Sequence, residues 1–364
     1  MPLLLVIPFL GLTYVMWHVW CVLPLTAAWR LAAVVIGTAC FLMMFLTMSK
    51  ATDRLPLWVA SLIYEIGTSA LFVMLYLFMA FLLLDVLRLI RVIPSAWLHH
   101  NAAVTITLTA IIAIIFVCGN VNYNHKRRHT ISLTTGKPLA RDMKIVMLSD
   151  LHIGYNNRRG ELARWVDIIN AEQPDVILIA GDIIDLSIRP LEEERMGDEF
   201  RRLEAPVYAC PGNHEYYAGI REAEKFYRAA GITMLRDDIV VTGGITVIGR
   251  DDCTNRRRAS LRKLVENTDE NSYRILLDHQ PHKLEQAEKA GMDFQFSGHT
   301  HHGQVWPISW ITEHVYECAF GPYRRGNTRY YVSSGLGIWG GKFRIATCSE
   351  YVVATLSPLH PTDH

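Results

Sequence analysis

Hydrophobic positions run together in the first third of the chain and recur in short blocks through the rest. Apolar runs cover Pro2 to about Ala28, Leu31 to Met48, Gly67 to Leu84 and Ala102 to Val121. Each approaches the roughly 20 residues a helix needs to cross a hydrocarbon core of about 30 Å. The pattern predicts about four transmembrane helices, near residues 3–25, 31–48, 67–87 and 102–121. A cleaved leader is the rival for the first run, but it would begin with a basic stretch, which MPLLLVIPFL lacks. Glu65 and Asp85 bracket the third run, and the stretch before it is half apolar. Two interfacial pieces there are the alternative, which leaves three or five spans open.

From Lys144 the texture changes. KIVMLSD, DVILIAGD and APVYACPGN are short apolar runs stopped by polar residues or glycine. RGELARWVDIINAEQ, LEEERMGDEFRRLE and IREAEKFYRAAG carry apolar residues at helical spacing. Strands alternating with helices of this length predict βαβ units and a sheet covered on both faces. DIVVTGGITVIGRDD reads as a hairpin about Gly243 and Gly244. YRILLDHQP, MDFQFSGH, TRYYVSSG and YVVATL read as further strands. The expected organisation is a helical membrane domain over 1–122, a basic linker over 123–139 and an α/β domain over 140–364.

Charge sharpens this division. Residues 1–121 carry five Lys and Arg and three Asp and Glu, against 31 and 32 in the remainder. The later part lacks the basic excess of a nucleic-acid binder, so duplex nucleic acid is not an expected partner. HKRRH at 125–129 follows the last run directly, where a basic cluster serves topology and lipid headgroups more often than nucleic acid. With four spans, Lys50, Arg54, Lys126, Arg127 and Arg128 share one side, and Arg30, Arg88 and Arg91 the other. The positive-inside bias then puts the α/β domain in the cytoplasm. Seven cysteines form no CxxC pair, and Cys21, Cys40 and Cys118 lie within apolar runs. Neither a disulfide framework nor a zinc ribbon is expected.

Polar clusters follow the strands: Asp150 and His152, Asp182 and Asp185, Asn213 and His214, then His279, then His299 and His301. Any one of these has an ordinary explanation as a cap, a turn or a surface histidine. Five clusters in order, all where strands should stop, do not. In open α/β sheets the chemistry gathers at the carboxyl ends of the strands. Carboxylate, imidazole and amide donors without cysteine suit a pair of divalent cations of intermediate hardness, Mn, Fe or Zn, with Mn favoured. Magnesium alone is a poor match for so many histidines. Two cations about 3.5 to 4 Å apart need a shared ligand, and Asp182 is the natural candidate.

The order D-x-H, G-D-x-x-D, G-N-H-E, H, G-H-x-H resembles the calcineurin-like metallophosphoesterases, over residues 144 to about 356. LLDHQP and GHTHHGQ further resemble the bacterial membrane-associated branch of that family. The resemblance implies a two-sheet α/β/β/α sandwich behind the helical bundle, in a multi-pass protein of the bacterial inner membrane. It implies that Asp150, His152 and His301 hold one cation, Asn213, His279 and His299 the other, and that Asp182 bridges them. His214 matches the histidine that faces the scissile phosphate, and Asp185 the carboxylate that orients it. The implied reaction is hydrolysis of a phosphodiester or pyrophosphate by a metal-bridging hydroxide. Two departures stand out. Leu186 and Ser187 follow Asp185 where protein phosphatases have Arg-Gly, so protein phosphatase activity is not expected. His302 and Ser334 replace a glycine and an arginine of the membrane branch. Arg324, Arg325 or Lys342 could stand in for that arginine, and His302 faces the substrate, supports the ligands, or simply lies in solvent.

The segment after the last ligands combines Trp306, Trp310 and Ile311 with Arg324 and Arg325. Such residues either rest at the headgroup level of a membrane or pack under the sheet. Four spans favour a lipid phosphoester or lipid-linked pyrophosphate as substrate, with nucleotides as the alternative. A transporter or sensor with a regulatory metal domain is a reading from another class. Transport places ionisable residues inside the spans, and only His18 and Asp85 qualify here.

Overall fold

The structure, a computed structural model, describes residues 2–266 and 268–359, the side chains of residues 2–5 and 50 aside. Met1 and residues 360–364, the outer ends of the two expected domains, lie outside the described residues. The chain divides into two compact units, residues 1–121 with 340–342, and residues 122–339 with 343 onward.

The first unit contains α1 (Pro2–Val22), α2 (Ala27–Thr47), α3 (Leu57–Leu89) and most of α4 (Ala102–Asn124). The last three are long and apolar enough to cross a membrane, and Val6–Val22 within α1 is a shorter apolar stretch of the same kind. Leu12, Val15, Phe41 and Phe81 form part of a core, while Ile36, Ile106 and Ile114 are exposed. A helix apolar on its outward face as well as its inward one belongs in lipid. α3 is one continuous helix of 33 residues, starting ten residues before the expected Gly67. Pro56 starts it, and no proline or charge cluster interrupts Leu57 to Leu84, so the alternative of two interfacial pieces does not apply. Gly67 lets α2 approach closely: a Cβ there would lie 2.5 Å from the Met44 nitrogen. His18 and Asp85 meet in this unit, with His18 Nε2 2.9 Å from Asp85 Oδ2. Tyr14 donates to the same oxygen at 2.6 Å, and Arg88 stands 3.3 Å from the other.

The second unit is a two-sheet sandwich. Its strands are β1 (Lys126–Thr135), β2 (Met143–Leu148), β3 (Val176–Ala180), β4 (Val207–Cys210), β5 (Ile232–Met234), β6 (Asp238–Thr242), β7 (Ile245–Gly249), β8 (Tyr273–Leu277), β9 (Phe294–Ser297), β10 (Gly321–Arg325), β11 (Thr328–Val332) and β12 (Ser349–Pro358). One sheet runs β1-β12-β2-β3-β4-β5, the other β10-β11-β9-β8-β7-β6. β2 through β5 are parallel, as are β7, β8, β9 and β11.

Side-chain alternation explains the layering. Val146 and Leu148 of β2 face the helices α5 (Arg159–Ala171), α6 (Arg189–Glu193), α7 (Gly197–Phe200) and α9 (Ile220–Ala230), through Leu162, Leu191, Phe200 and Tyr227. Ile145 and Met147 face the other sheet, meeting Val247, Ile275 and Phe296 in the central core. Ile248 and Leu276 turn outward to α10 (Leu261–Val265) and α11 (Glu285–Lys289). Both faces of both sheets are thus apolar, which is why the strands read as unbroken runs. Two further helices, α8 (Asn213–Ala218) and α12 (Ile308–Val315), follow β4 and β9.

Two local expectations change. LEEERMGDEFRRLE forms α6 and α7, separated at Arg195, whose φ is 53°. Residues 126–135, inside the expected linker, form β1 and pair in parallel with β12 along ten residues. The basic side chains of Lys126, Arg127 and Arg128 concealed a strand whose pairing partner lies more than two hundred residues away.

Candidate metal centre

Every singled-out residue lies just past the carboxyl end of a strand, β2, β3 and β4 in one sheet and β8 and β9 in the other. Asp150, His152, Asp182, His299 and His301 all take positive φ, between 44° and 71°. Non-glycine residues in this region cost local free energy and collect where a site needs side chains aimed inward. Gly212 supplies the clearance: a Cβ there would meet Asp182 Oδ1 at 2.1 Å.

Two buried groups of potential ligands result, Asp150 with His152 and His301, and Asp182 with His279 and His299. In the first, His152 Nε2 lies 3.0 Å from His301 Nε2, and His301 Nε2 lies 3.5 Å from Asp150 Oδ1. In the second, His279 Nε2 is 3.1 Å from Asp182 Oδ2. That same Asp182 oxygen is 3.7 Å from His152 Nε2, so one atom faces both groups. The other Asp182 oxygen accepts the His214 backbone N–H at 2.9 Å. Asn213 begins α8, and its buried Oδ1 has no hydrogen-bond partner.

The tautomers tell which atoms are donors. His279 Nδ1 donates to the Ala180 carbonyl at 2.7 Å, which turns Nε2 toward Asp182. Burial and His279 push the His299 pKa down to about 3, and burial and His152 hold His301 well below its ordinary value. Both rings are therefore neutral and offer lone pairs. Burial would raise the Asp182 pKa, but His279 and His214 hold it well below the carboxylate range. Burial would lower the His279 pKa, but Asp182 in turn holds it well above its ordinary value. Two neutral imidazoles, an ionised carboxylate paired with His279 and an unpartnered amide oxygen converging in a buried space fit divalent cations, which would take the place of the His279 proton.

His214 and Asp185 form a second pair beside this centre. His214 Nδ1 lies 2.9 Å from the Asp185 carbonyl and 3.2 Å from its carboxylate, which is also 3.4 Å from His152 Nδ1. Burial works against a charged His214, but Asp182 and Asp185 outweigh it and push its pKa up to about 9. Burial likewise opposes Asp185 ionisation, and the nearby His152 and His214 imidazoles hold its pKa low.

Three contributors were not singled out in the sequence. Glu215, fully buried, accepts the backbone N–H groups of Gly212, Asp182 and Ile184 and the Tyr227 hydroxyl. It ties the β3 and β4 loops together, and its signal was the last letter of G-N-H-E. Tyr217 stands 60% exposed with its ring 5.0 Å from that of His214. Arg344, buried, donates to the carbonyls of His301, Ser334 and Gly337. Burial lowers its pKa to about 10, so it stays charged at neutral pH. The cation beside Ser334 is thus Arg344. Arg324 bonds to the Gly326 carbonyl, and Arg325 to Glu288 and Glu317.

His302 turns away from the ligand candidates. Its ring stacks on Phe320 at 4.5 Å and 11°, and Nε2 lies 3.0 Å from Glu313 Oε1 on α12.

Residues 143–303 match the calcineurin-like phosphoesterase family. A metallophosphoesterase of Campylobacter jejuni is 31% identical over 255 residues, 68% of each chain. One from Helicobacter pylori is 31% identical over 226 residues, 60% of this chain and 61% of that one, so the match spans about three fifths of that relative. A zebrafish (Danio rerio) transmembrane protein with metallophosphoesterase domain is 31% identical over 227 residues, 57% of this chain and 52% of that protein. With its strand-end histidines and carboxylates, its two-sheet sandwich and these relatives, the chain belongs to the calcineurin-like metallophosphoesterase family.

Proposed function

We propose that this chain is a membrane-anchored hydrolase that uses two divalent cations, with Mn the first to test before Fe and Zn, to cleave a phosphodiester or pyrophosphate bond in a lipid-linked substrate. One observation carries the reading: Asp182 Oδ2 faces His279 Nε2 at 3.1 Å and His152 Nε2 at 3.7 Å, between two buried ligand groups. Asp150, His152 and His301 hold one cation, Asn213, His279 and His299 the other, and Asp182 is shared. When bound, the cations neutralise phosphoryl oxygens and make a nucleophile available at neutral pH.

The chain's own residues supply the rest. Protonated His214 stabilises the charge that develops on the phosphoryl group or gives its proton to the leaving oxygen. Asp185 orients His214 and, through the same carboxylate, His152. Arg344 holds the His301 carbonyl and so the direction of that ring. Tyr217 packs against whatever group is attached to phosphorus on the His214 side. The apolar helices support a lipid substrate, since they keep the enzyme in the phase where such substrates reside. The basic residues flanking the predicted spans, five against three, support a catalytic unit in the cytoplasm, and the relatives from Campylobacter jejuni and Helicobacter pylori support a bacterial inner-membrane protein.

The test is turnover of a bis-ester phosphate reporter by detergent-purified protein loaded with Mn, beside an Asp182→Ala/His214→Ala control. Loss of turnover in the control is the expected result, and unchanged turnover overturns the reading. Lipid pyrophosphate, glycerophospholipid and nucleotide substrates compared under the same conditions decide the class, with preference for the nucleotide overturning the lipid part. A reporter fused to the C-terminus and active only outside the cytoplasm would overturn the orientation.

A further inference from the structure

α12 is built inside out. Its inward face holds Ser309, 5% exposed, with half-buried Ile308 and Thr312, while Trp310, Ile311 and Val315 stand 57%, 60% and 65% exposed. At 100° per residue these three span an arc of about 140°. Trp306, 37% exposed, extends the patch by meeting the Trp310 ring edge-on at 5.3 Å. Within the arc, His314 turns its Nδ1 to the Trp310 carbonyl at 2.7 Å. A surface helix ordinarily does the reverse, burying its large apolar residues and exposing its hydroxyls.

We propose that α12 is an interfacial helix that lays this face into the headgroup and upper acyl region of a lipid bilayer, beside the phosphoesterase site. Two features commit the face to lipid. The same chain carries helices apolar enough to cross a membrane, and only His125 separates the end of α4 from the start of β1. The catalytic unit is thereby tethered to a bilayer, so lipid is a permanent neighbour. Four side chains on a two-turn helix are also far short of the roughly 800 Å² per partner of a standard protein interface. A bilayer requires no matching shape, and indole rings favour its interface.

The helix is fixed to the ligand loop. His302 follows the ligand candidate His301, bonds to Glu313 of α12 and stacks on Phe320. The Ile308 N–H donates to the Val305 carbonyl at 2.9 Å, closing the turn that joins loop and helix. A bilayer that receives Trp310 and Ile311 therefore meets the rim of the site, and a phosphoester at headgroup depth lies beside it. The inference gives His302 its work, as the tether between ligand loop and lipid-facing helix. It deepens the lipid-substrate reading and rests on it for the kinetic test alone.

The decisive measurement uses the whole chain in nanodiscs made with phosphatidylcholine brominated on the acyl chain. The difference in tryptophan fluorescence between the parent protein and Trp310→Phe isolates Trp310. Quenching of that difference by bromolipid, with shielding from aqueous iodide, is expected. Quenching by iodide, or shielding from both quenchers, overturns the proposal, the latter because a protein surface would then cover the helix. The kinetic arm compares Trp310→Ser/Ile311→Ser/Val315→Ser with the parent. Reporter turnover within about twofold, and at least a tenfold loss on a phosphoester lipid in nanodiscs, is the expected split. Equal retention of both activities overturns the proposal. A parent protein that cleaves neither substrate refutes the phosphoesterase reading, while the quenching result still decides the fate of α12.

Discussion

Each unit of this protein buries a histidine against an aspartate at nearly the same distance, His18 with Asp85 at 2.9 Å and His279 with Asp182 at 3.1 Å. The surroundings make them different objects. Asp85 Oδ2 receives the Tyr14 hydroxyl and faces His18, and Arg88 stands as an ion pair 3.3 Å from Oδ1, so protein groups answer its charge, although His18 Nδ1 and Asp85 Oδ1 make no hydrogen bond. Asp182 spends one oxygen on the His214 N–H and turns the other toward two imidazoles, with Asp150 and Asn213 nearby offering more oxygens. A pair answered in this way holds helices together; a convergence of acceptors is a receptacle for cations. Residue type is the same in both and both imidazoles are buried, but Asp85 keeps 20% of its side chain exposed against 2% for Asp182, and the balance of donors and acceptors differs as well.

The largest effect is expected from breaking the receptacle. Asp182→Ala removes the proposed shared ligand, and because bound metals would supply several kcal/mol of transition-state stabilisation, turnover should fall by at least about 10³-fold. Metal content measured by mass spectrometry should fall with it. Full retention of both metals would show that Asp182 is not their bridge.

His214→Asn keeps the ligands and removes the acid, so metal content should hold while kcat falls by about 10²- to 10⁴-fold. The pH profile sharpens this. The His214 pKa is raised from 6.5 to about 9 in the folded protein. Stability from its charged form is thus fully present below 6.5 and lost as pH rises through about 9. Turnover in the parent should decline on the alkaline side as His214 loses its proton, a limb absent from His214→Asn. Asp185→Asn weakens one of the two causes of that shift. It should lower kcat by about 10- to 100-fold and move the alkaline limb to lower pH; an unmoved limb would show that Asp185 does not set the His214 charge.

Asp85→Asn probes the pair with His18 and should have the smallest effect. Thermal stability in detergent should drop by no more than about 2 kcal/mol, with metal content and reporter turnover unchanged. A loss of turnover would mean that the pair in the helices serves the reaction, and the comparison would fail.

The ligand candidates were legible because each belongs to a local pattern. An apolar run that stops at D-x-H or G-N-H-E announces a strand together with the polar loop at its carboxyl end, and strand ends in an α/β sheet share one edge. The apolar runs were legible for the same reason, since composition over about 20 residues decides whether a helix can sit in lipid. α12 was legible only as an alternative: Trp306, Trp310 and Ile311 read equally as headgroup-level residues or as core under the sheet, and only the packing shows that the apolar side faces out.

The chain alone therefore determined the division into an apolar helical part and an α/β part, the identity of the ligand candidates, and their place at strand ends. Those properties depend on neighbours in sequence and on the alternation of side chains along a strand. Tertiary structure decided the rest: β1 recruited from the basic stretch by β12, Arg344 delivered to the carbonyls of Ser334 and His301, His18 matched to Asp85, and His302 turned to α12. Each of these pairs residues far apart along the chain or turns a side chain toward a neighbour that local pattern does not name. Such contacts exist only once two packed sheets or a helical bundle have brought the groups within bonding distance.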